Sequence, residues 1–192
     1  MTSIISKLNA RRSTKAQLLS TPAPDQETLI EILQTGMSAP DHGAIRPWRF
    51  TIFEGETLQK LSDIYGEAFK IKNPDATEEE IAEFKQKPLR APLVIAIWAE
   101  ITENHPKVPP IEQIVTVSCA TENILLAAEE KGFGAVLLTG WPAFHPHVQS
   151  FIGMKEKDEM IGFLYLGTAT ETPRPMTRPD VEQFIRQLPV IA

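Results

Sequence analysis

Five consecutive residues near the N-terminus carry three cations and two hydroxyl groups. They are Arg11, Arg12, Ser13, Thr14 and Lys15. An arginine can bind two phosphate oxygens with its planar fork, a serine adds a short hydrogen bond, and a lysine adds a point charge. The same composition is also typical of a solvated turn at a helix end. The local sequence therefore predicts either a phosphate site or an exposed basic turn.

A second unusual stretch is APDHGAIRPWRF, residues 39–50. Pro47 indicates a fixed entry to a strand, and Trp48 is predicted to be a core aromatic. Phe50 and Ile52 alternate with polar residues as in a half-buried strand. The many polar groups before Pro47 do not suit a core strand. The local sequence alone does not explain their function.

Other patterns argue against three kinds of site. The four histidines, His42, His105, His145 and His147, lack the spacing of a zinc site, so no metal is expected. No G-x-S-x-G pattern supports a serine hydrolase. The glycines of Gly132-Phe133-Gly134 follow a predicted helix and precede a predicted strand, which reverses the order of a dinucleotide fingerprint. We therefore interpret Gly132 as a helix C-cap.

The composition is that of an ordinary globular protein, and we expect one domain over residues 1–192. A net charge of -6 argues against a nucleic-acid partner. The longest strongly apolar run, residues 93–99, is too short for a membrane helix, and the N-terminus lacks a signal-peptide core. The single cysteine, Cys119, is interpreted as a small buried residue. A cytoplasmic location is expected from these features.

Hydrophobic periodicity predicts an α+β arrangement with four strands and five or six helices. Helices are expected after Ser3 up to about residue 12 and over 26–38, 56–72, 77–87 and 111–131, and strands over 49–56, 93–101, 134–140 and 160–168. The 93–101 segment is apolar on both faces and is predicted to be central. The proline-rich tail, about 168–192, cannot be regular helix or central strand and is predicted to be an extended arm.

Four segments, taken in order, resemble motifs of the flavin-dependent nitroreductase family. Residues 11–15 are similar to its R-R/H-S-x-K/R phosphate motif, and residues 39–50 to its A-P-S-x-x-N-x-Q-P-W-x-F segment. Residues 132–136 resemble the stretch before its flavin-facing turn, and residues 162–167 its last strand. The resemblance covers nearly the whole chain and is closest to the small, bacterial YdjA-like branch.

The resemblance implies an α+β fold with a mixed or antiparallel central sheet of four to five strands flanked by helices. It also implies an intertwined homodimer with FMN at the subunit interface. NAD(P)H would be the electron donor and a small planar molecule the acceptor. The 39–50 segment would then reach the partner's flavin, anchored by Trp48 and Phe50. The 111–131 helix and the proline-rich arm would form dimer contacts, and no membrane or nucleic acid would be involved.

Carried over residue by residue, the resemblance places Arg11 and Ser13 on the FMN phosphate. Arg178 matches the C-terminal phosphate ligand, and Arg174 competes with it for that role. Lys15 would lie near the N1/O2 edge of the ring, where reduction places negative charge. A backbone N–H of the Thr139-Gly140 turn would face N5. The full set implied is Arg11, Arg12, Ser13, Lys15, Ser38, His42, Arg46, Leu137, Leu138, Thr139, Gly140 and Arg178.

Some positions depart from the family pattern. Ala44 stands where the family has asparagine, and Arg46 where it has glutamine. Leu137 and Leu138 stand where many close relatives have Trp-Arg. Relative to the family pattern, these changes remove a flavin hydrogen bond and a cation, and Arg46 could supply charge instead.

The implied function is an NAD(P)H oxidoreductase that passes a hydride to flavin N5 and on to a nitroaromatic, a quinone or a similar electron-poor ring. One shared site predicts ping-pong kinetics. No side chain has to act as a base, and His42 is a candidate proton donor. Two alternatives stay open: reductive dehalogenation or flavin fragmentation on the same scaffold, with a lid in residues 66–90 or 102–110, and a non-catalytic flavin-binding protein.

Overall fold

The computed structural model describes residues 3–174 and 176–188. Their α-helices are α1 (Ile4–Ala10), α2 (Gln26–Gly36), α3 (Gly55–Lys72), α4 (Glu78–Lys85), α5 (Pro110–Glu130) and α6 (Pro146–Phe151). The strands are β1 (Leu19–Ser20), β2 (Trp48–Glu54), β3 (Leu93–Ala99), β4 (Gly134–Leu138) and β5 (Glu159–Ala169).

All five strands join one sheet through antiparallel pairs. Its order is β1-β5-β3-β2, and β4 also pairs with β5. The α+β class with a central sheet is therefore confirmed, and the sheet is antiparallel in each of these pairs. The fifth strand, β1, is only two residues long, too short for periodicity to reveal.

Strand β3 is the centre of the core, as its sequence predicts. All seven of its residues are buried between β2 and β5. Alternate side chains point to opposite faces of a strand. Val94, Ala96 and Trp98 join a cluster with residues of α3 and α4. Leu93, Ile95, Ile97 and Ala99 join a second cluster with residues of α2 and α5. The sheet is thus packed between two helical layers.

Local capping explains where several helices begin and end. The Asp25 carboxylate accepts a hydrogen bond from the Thr28 N–H at 2.8 Å, which confirms the predicted start of α2. Thr77 and Glu80 form a capping box at α4. After α5, Gly132 has φ +85° and donates to the Glu129 carbonyl, while Phe133 donates to Ala128. This is a Schellman motif, so the C-cap interpretation of Gly132 is confirmed.

The prediction that Cys119 is buried is wrong. Helix α5 turns Val117, Ala120 and Thr121 toward the core, and Cys119 lies off that face with a partly exposed side chain. Helix α6 was not predicted either, although Pro146 at its first position is typical of a helix start.

The tail after β5 carries an unusual number of exposed apolar side chains. Within the described residues it contains one short 3-10 turn, Val181–Phe184. Among residues 170–174 and 176–188, the large apolar side chains are all exposed: Met176, Val181, Phe184, Ile185 and Leu188. The predicted arm of about 168–192 also includes residues 175 and 189–192, which lie outside the described residues.

Across residues 3–174 and 176–188, no helix combines the length and apolar content needed to cross a membrane.

Candidate functional site

The N-terminal basic segment gathers three of the predicted phosphate residues. Arg11 directly follows α1, and its Nε lies 3.0 Å from Glu122 Oε1 on α5. Its Nη1 is 3.5 Å from Ser13 Oγ. Arg178, far along the chain, donates from Nη2 to the Arg11 carbonyl at 2.5 Å. Arg178 therefore reaches the backbone of the segment that carries Arg11 and Ser13, and these three side chains are donors of the kind that suits a phosphate.

Arg12 faces a small cavity of about 310 Å³ beside this cluster. Its Nη1 is buried and lacks a hydrogen-bond partner within the described part of the chain. A buried charged donor without an acceptor is costly, so an anion or a water in this cavity would relieve it. The cavity is lined by Ala10, Arg11, Arg12, Thr14, Leu125, Glu129, Gly132, Phe133, Gly134, Ala135, Ala169, Thr172 and Pro173.

One backbone hydrogen bond fixes the basic segment against the sheet. The Thr14 N–H donates to the Ala135 carbonyl at 2.9 Å, at the start of β4. Lys15 comes next, is exposed, and precedes a one-turn 3-10 helix. Both candidate arginines in the tail are exposed, and Arg178 is the one with a hydrogen bond to the segment among the described residues.

The end of β4 forms an exposed turn above β5. Leu137 and Leu138 are half-buried and pack on opposite faces of the sheet, and Thr139 and Gly140 are exposed. Gly162 of β5 approaches this turn closely. A Cβ at Gly162 would lie 2.9 Å from the Leu138 carbonyl oxygen. A glycine is required here because the backbone of the turn occupies the space of a side chain.

The residues that follow hold this turn to the helical layer. Trp141 stacks on Phe84 of α4 at 5.1 Å, and Lys72 Nζ lies 5.3 Å from the Trp141 ring centre. The His145 ring meets the edge of Trp141 at 5.6 Å. Desolvation lowers the pKa of His145 below its ordinary value, and the charges of His147 and Lys72 lower it further. These contacts favour a neutral imidazole beside the turn.

Residues 41–46 form a second turn with an uncommon backbone. Gly43, Ala44 and Arg46 have φ values of +72°, +52° and +55°. Such values are uncommon for residues other than glycine. The Asp41 carboxylate accepts hydrogen bonds from the backbone N–H groups of Ile45 at 3.2 Å and Arg46 at 2.9 Å. These two bonds close the turn and hold Arg46 in this conformation.

Helix α5 and the loop before it support the 41–46 turn. The Thr116 hydroxyl donates to the Pro40 carbonyl at 3.0 Å. His42 Nδ1 lies 2.7 Å from Glu112 Oε2. A Cβ at Gly43 would lie 3.1 Å from Val108. The turn therefore rests on α5, and it presents the exposed side chains of His42 and Arg46 outward.

The supporting loop is itself fixed by a buried amide. Gln113 is 1% exposed; its Oε1 accepts from the Thr102 N–H, and its Nε2 donates to the carbonyls of Thr102 and Val108. Ser38, the remaining predicted cofactor residue near this turn, donates its hydroxyl hydrogen to the Thr35 carbonyl. Its Oγ accepts from Asn123 Nδ2 at 3.3 Å.

The predicted site residues thus fall into three groups. The first is the Arg11, Ser13 and Arg178 cluster with Arg12 and Lys15 beside it. The second is the turn 137–140, and the third is the region 38–46. Sequence reasoning missed the groups that hold them: Asp41, Glu112, Thr116 and Trp141. Only Asp41 carries a signal, because an aspartate ahead of a glycine is typical of a turn whose backbone its side chain binds.

No group of three or more His, Cys, Asp or Glu side chains able to hold a metal ion occurs among residues 3–174 and 176–188.

Comparison with families and curated proteins gives one consistent result. The model of the nitroreductase family matches residues 8–168. The chain is 39% identical over 176 residues to an Escherichia coli (strain K12) protein named "Putative NAD(P)H nitroreductase YdjA", covering 91% of this chain and 93% of that protein. It is 34% identical to a Haemophilus influenzae protein named "Putative NAD(P)H nitroreductase", covering 94% and 97% of the two chains.

Solved structures share the fold. A nitroreductase-like family protein from Bacillus cereus superposes with a TM-score of 0.83 at 24% identity, covering 98% of this chain and 97% of that one. A variant of NfnB, an FMN and NADPH-dependent nitroreductase from a Sphingopyxis strain, superposes with a TM-score of 0.75 at 19% identity, covering 97% and 99%. At these identities the two structures establish the architecture alone.

Proposed function

The chain belongs to the nitroreductase family, and on this basis we propose that it is an FMN-dependent NAD(P)H oxidoreductase. The proposal adds the cofactor, the donor and the mechanism to the family assignment. One solved relative of the same fold is itself FMN and NADPH-dependent, which supports the choice of cofactor.

The observation that carries the proposal is the convergence of Arg11, Ser13 and Arg178. Residues 167 positions apart meet through the bond from Arg178 Nη2 to the Arg11 carbonyl. Arg12 adds a buried nitrogen without a partner among the described residues, at a cavity large enough for a phosphate. The donor set fits the phosphate of FMN, and Arg11, Arg12, Ser13 and Arg178 would hold it. Lys15 and the turn of Leu137, Leu138, Thr139 and Gly140 would meet the ring.

The chemistry that FMN supplies when bound is hydride transfer from NAD(P)H through its N5 atom to a second substrate. For a nitro group the balance is ArNO₂ + NADPH + H⁺ giving ArNO + NADP⁺ + H₂O. For a quinone, NADPH and one proton give the quinol and NADP⁺. The protein has to bind both substrates in turn, exclude water from the ring and deliver protons.

We propose that His42 holds a proton for the acceptor. Its Nδ1 is within hydrogen-bond distance of the Glu112 carboxylate, so Nδ1–H can donate to Glu112. That bond fixes the orientation of the ring, and Nε2, which has no hydrogen-bond partner among the described residues, can accept or donate a proton. Ser38, His42 and Arg46 would act on the flavin of a partner subunit.

We further propose a homodimer in which the arm of about 168–192 docks on the partner. The supporting observation is exposed apolar surface: α1 exposes Ile4, Ile5 and Leu8, and the tail exposes Phe184 and Ile185 among others. Large exposed apolar side chains of this kind would be buried if each of the two segments packed against a second chain.

Neither alternative reaction gains support from the fold. Residues 66–90, the room expected for a substrate lid, form the end of α3 and α4, and Ala68 and Phe84 are buried in the core. The 102–109 loop is fixed by Gln113 rather than free to close over a substrate. Part of each segment is therefore fixed against the rest of the molecule.

Steady-state kinetics test the proposal. Initial rates of the FMN-loaded protein are measured with NADPH varied at several fixed concentrations of a quinone. Because donor and acceptor would use one site in turn, the double-reciprocal lines should be parallel. Lines that intersect to the left of the axis would show that both substrates bind together and would contradict the shared site.

A further inference from the structure

We propose that Arg46 selects second substrates that carry a negative charge, namely planar electron-poor aromatics with a carboxylate. Asp41 is the positioning residue that holds Arg46 in place. The inference rests on the proposed function, because it concerns the acceptor that follows NAD(P)H.

The first observation is the backbone of Arg46. Its φ of +55° follows positive values at Gly43 and Ala44, so three of four consecutive residues are left-handed. A non-glycine residue keeps this conformation only where its surroundings impose it, and such positions cluster at functional sites. Nothing in the residue types of Ala44 and Arg46 demands this shape.

The second observation is how many contacts impose that shape. Asp41 accepts two backbone N–H groups, of Ile45 and Arg46. Thr116 binds the Pro40 carbonyl just before the turn, and Val108 packs beneath Gly43. The turn is therefore preorganised, and the backbone from which the Arg46 side chain extends is held in one position.

The third observation is the cavity beside Arg46. It has a volume of about 500 Å³, within the range of small-molecule sites. Its apolar lining comes from Met37, Ala39, Ala44 and Trp48, and its polar lining from Asp41 and Arg46. An apolar cavity with a guanidinium at its edge suits an aromatic ring that bears an anion.

The fourth observation is the state of the neighbouring charges. The Arg49 guanidinium is bound to Glu100, which also pairs with Lys155. His42 is paired with Glu112. The Asp41 carboxylate is engaged by its two backbone donors. Among the described residues, no carboxylate lies within ion-pair distance of the Arg46 guanidinium, so the donors that do not meet the partner's flavin remain available for a substrate carboxylate.

The test compares 4-nitrobenzoate with its methyl ester, which has nearly the same shape and no charge. The ratio of kcat/KM for the two acceptors is measured with FMN-saturated protein and saturating NADPH. An ester draws electrons from the nitro group more strongly than a carboxylate does, so the ratio is compared between variants. The carboxylate-to-ester ratio of the wild type should exceed that of Arg46→Gln by about tenfold, and this difference should fall at high salt. Arg49→Gln, which removes an adjacent cation already bound to Glu100, should leave the ratio unchanged.

Variants at Asp41 separate positioning from simple charge. Removing a nearby negative charge should by itself improve binding of an anion. If Asp41 instead holds the turn through its two backbone hydrogen bonds, Asp41→Ala should lose the preference for the carboxylate. Asp41→Asn should keep most of the preference, because an amide oxygen can still accept hydrogen bonds from the turn. Thermal unfolding of each variant checks that the fold is intact.

The outcomes distinguish the two levels of the proposal. A carboxylate-to-ester ratio that is the same in Arg46→Gln as in the wild type would overturn the role of Arg46 and leave the oxidoreductase standing. A higher carboxylate preference in Asp41→Ala would overturn the positioning role of Asp41. Failure to reduce either acceptor, with bound FMN that NADPH does not bleach, would overturn the proposed function itself.

Discussion

Thr116 donates its hydroxyl hydrogen to the Pro40 carbonyl across 3.0 Å, joining the second turn of α5 to the start of the 41–46 turn. Thr116 is 5% exposed, so the bond lies away from water. Residues 76 positions apart in the sequence thus share one hydrogen bond, and the position of the polar 39–50 segment depends on a helix that follows it in the chain. The segment and α5 should therefore respond together to substitution.

Replacing Thr116 with valine tests that dependence. Valine keeps the shape and removes the donor, which leaves the Pro40 carbonyl unsatisfied. We expect Thr116→Val to lower the free energy of unfolding by about 1–3 kcal/mol in urea denaturation. Ser118→Ala is the matched control, since the exposed Ser118 hydroxyl donates only to Ile114 within the same helix. Equal effects of the two variants would contradict the account.

The ion pair between Arg11 and Glu122 competes with the proposed phosphate. Glu122 Oε1 lies 3.0 Å from Arg11 Nε, and its negative charge opposes any anion bound there. Glu122→Gln should therefore lower the dissociation constant of FMN several-fold, measured by quenching of flavin fluorescence. Glu130 also lies on α5, and its carboxylate pairs with Lys7 of α1. Glu130→Gln should therefore change the dissociation constant of FMN little. Weaker FMN binding in Glu122→Gln would show that Glu122 positions Arg11 instead.

Gly162 provides the space for the turn at the end of β4. An added methyl group would lie 2.9 Å from the Leu138 carbonyl and 3.1 Å from Thr139 Cγ2. Gly162→Ala should destabilise the fold by about 1–3 kcal/mol and weaken FMN binding, because the turn must shift. Gly55→Ala is the control, since Gly55 also has positive φ but has open space around it. Loss of FMN binding in both variants would remove the specific role of the 137–140 turn.

The exposed tail predicts an association that depends on its apolar residues. Phe184 and Ile185 are 69% and 57% exposed. If they are buried against a second chain, the double variant Phe184→Asp, Ile185→Asp should raise the dimer dissociation constant by about tenfold or more in analytical ultracentrifugation. Ile71→Asp is the control, because Ile71 on α3 is 58% exposed and lies outside the tail. A monomeric wild type would contradict the proposal.

Much of the fold follows from local patterns in the sequence. Asp25 marks the start of α2, Gly132 the end of α5, and the apolar run of β3 its central place, because each depends on residues adjacent in sequence. Strand β1 was missed because two residues carry no periodicity. The exposure of Cys119 depends on which face of α5 meets the sheet, and a run of small residues does not fix that face.

Less of the candidate site than of the fold could be predicted from the sequence. The motif around Arg11 and Ser13 suggested a phosphate ligand, but their contact with Arg178 is set by the path of the tail. The left-handed backbone at Ala44 and Arg46 is imposed by the hydrogen bonds from the turn to Asp41 and from Thr116 to the Pro40 carbonyl. Those are tertiary contacts that neither alanine nor arginine signals. The role of Glu112 could not be predicted for the same reason, since its partner His42 is 70 residues away in the sequence.

The most direct measurement is an anaerobic absorbance spectrum of the FMN-loaded protein after gel filtration, before and after addition of NADPH. We expect flavin that stays with the protein through the column and is bleached by NADPH. Arg11→Gln should retain less flavin, with Lys60→Gln on α3 as the control for a lost surface charge. Flavin that separates from the wild type on the column, or that stays bound and resists both NADPH and NADH, would contradict the assignment as an FMN-dependent NAD(P)H oxidoreductase.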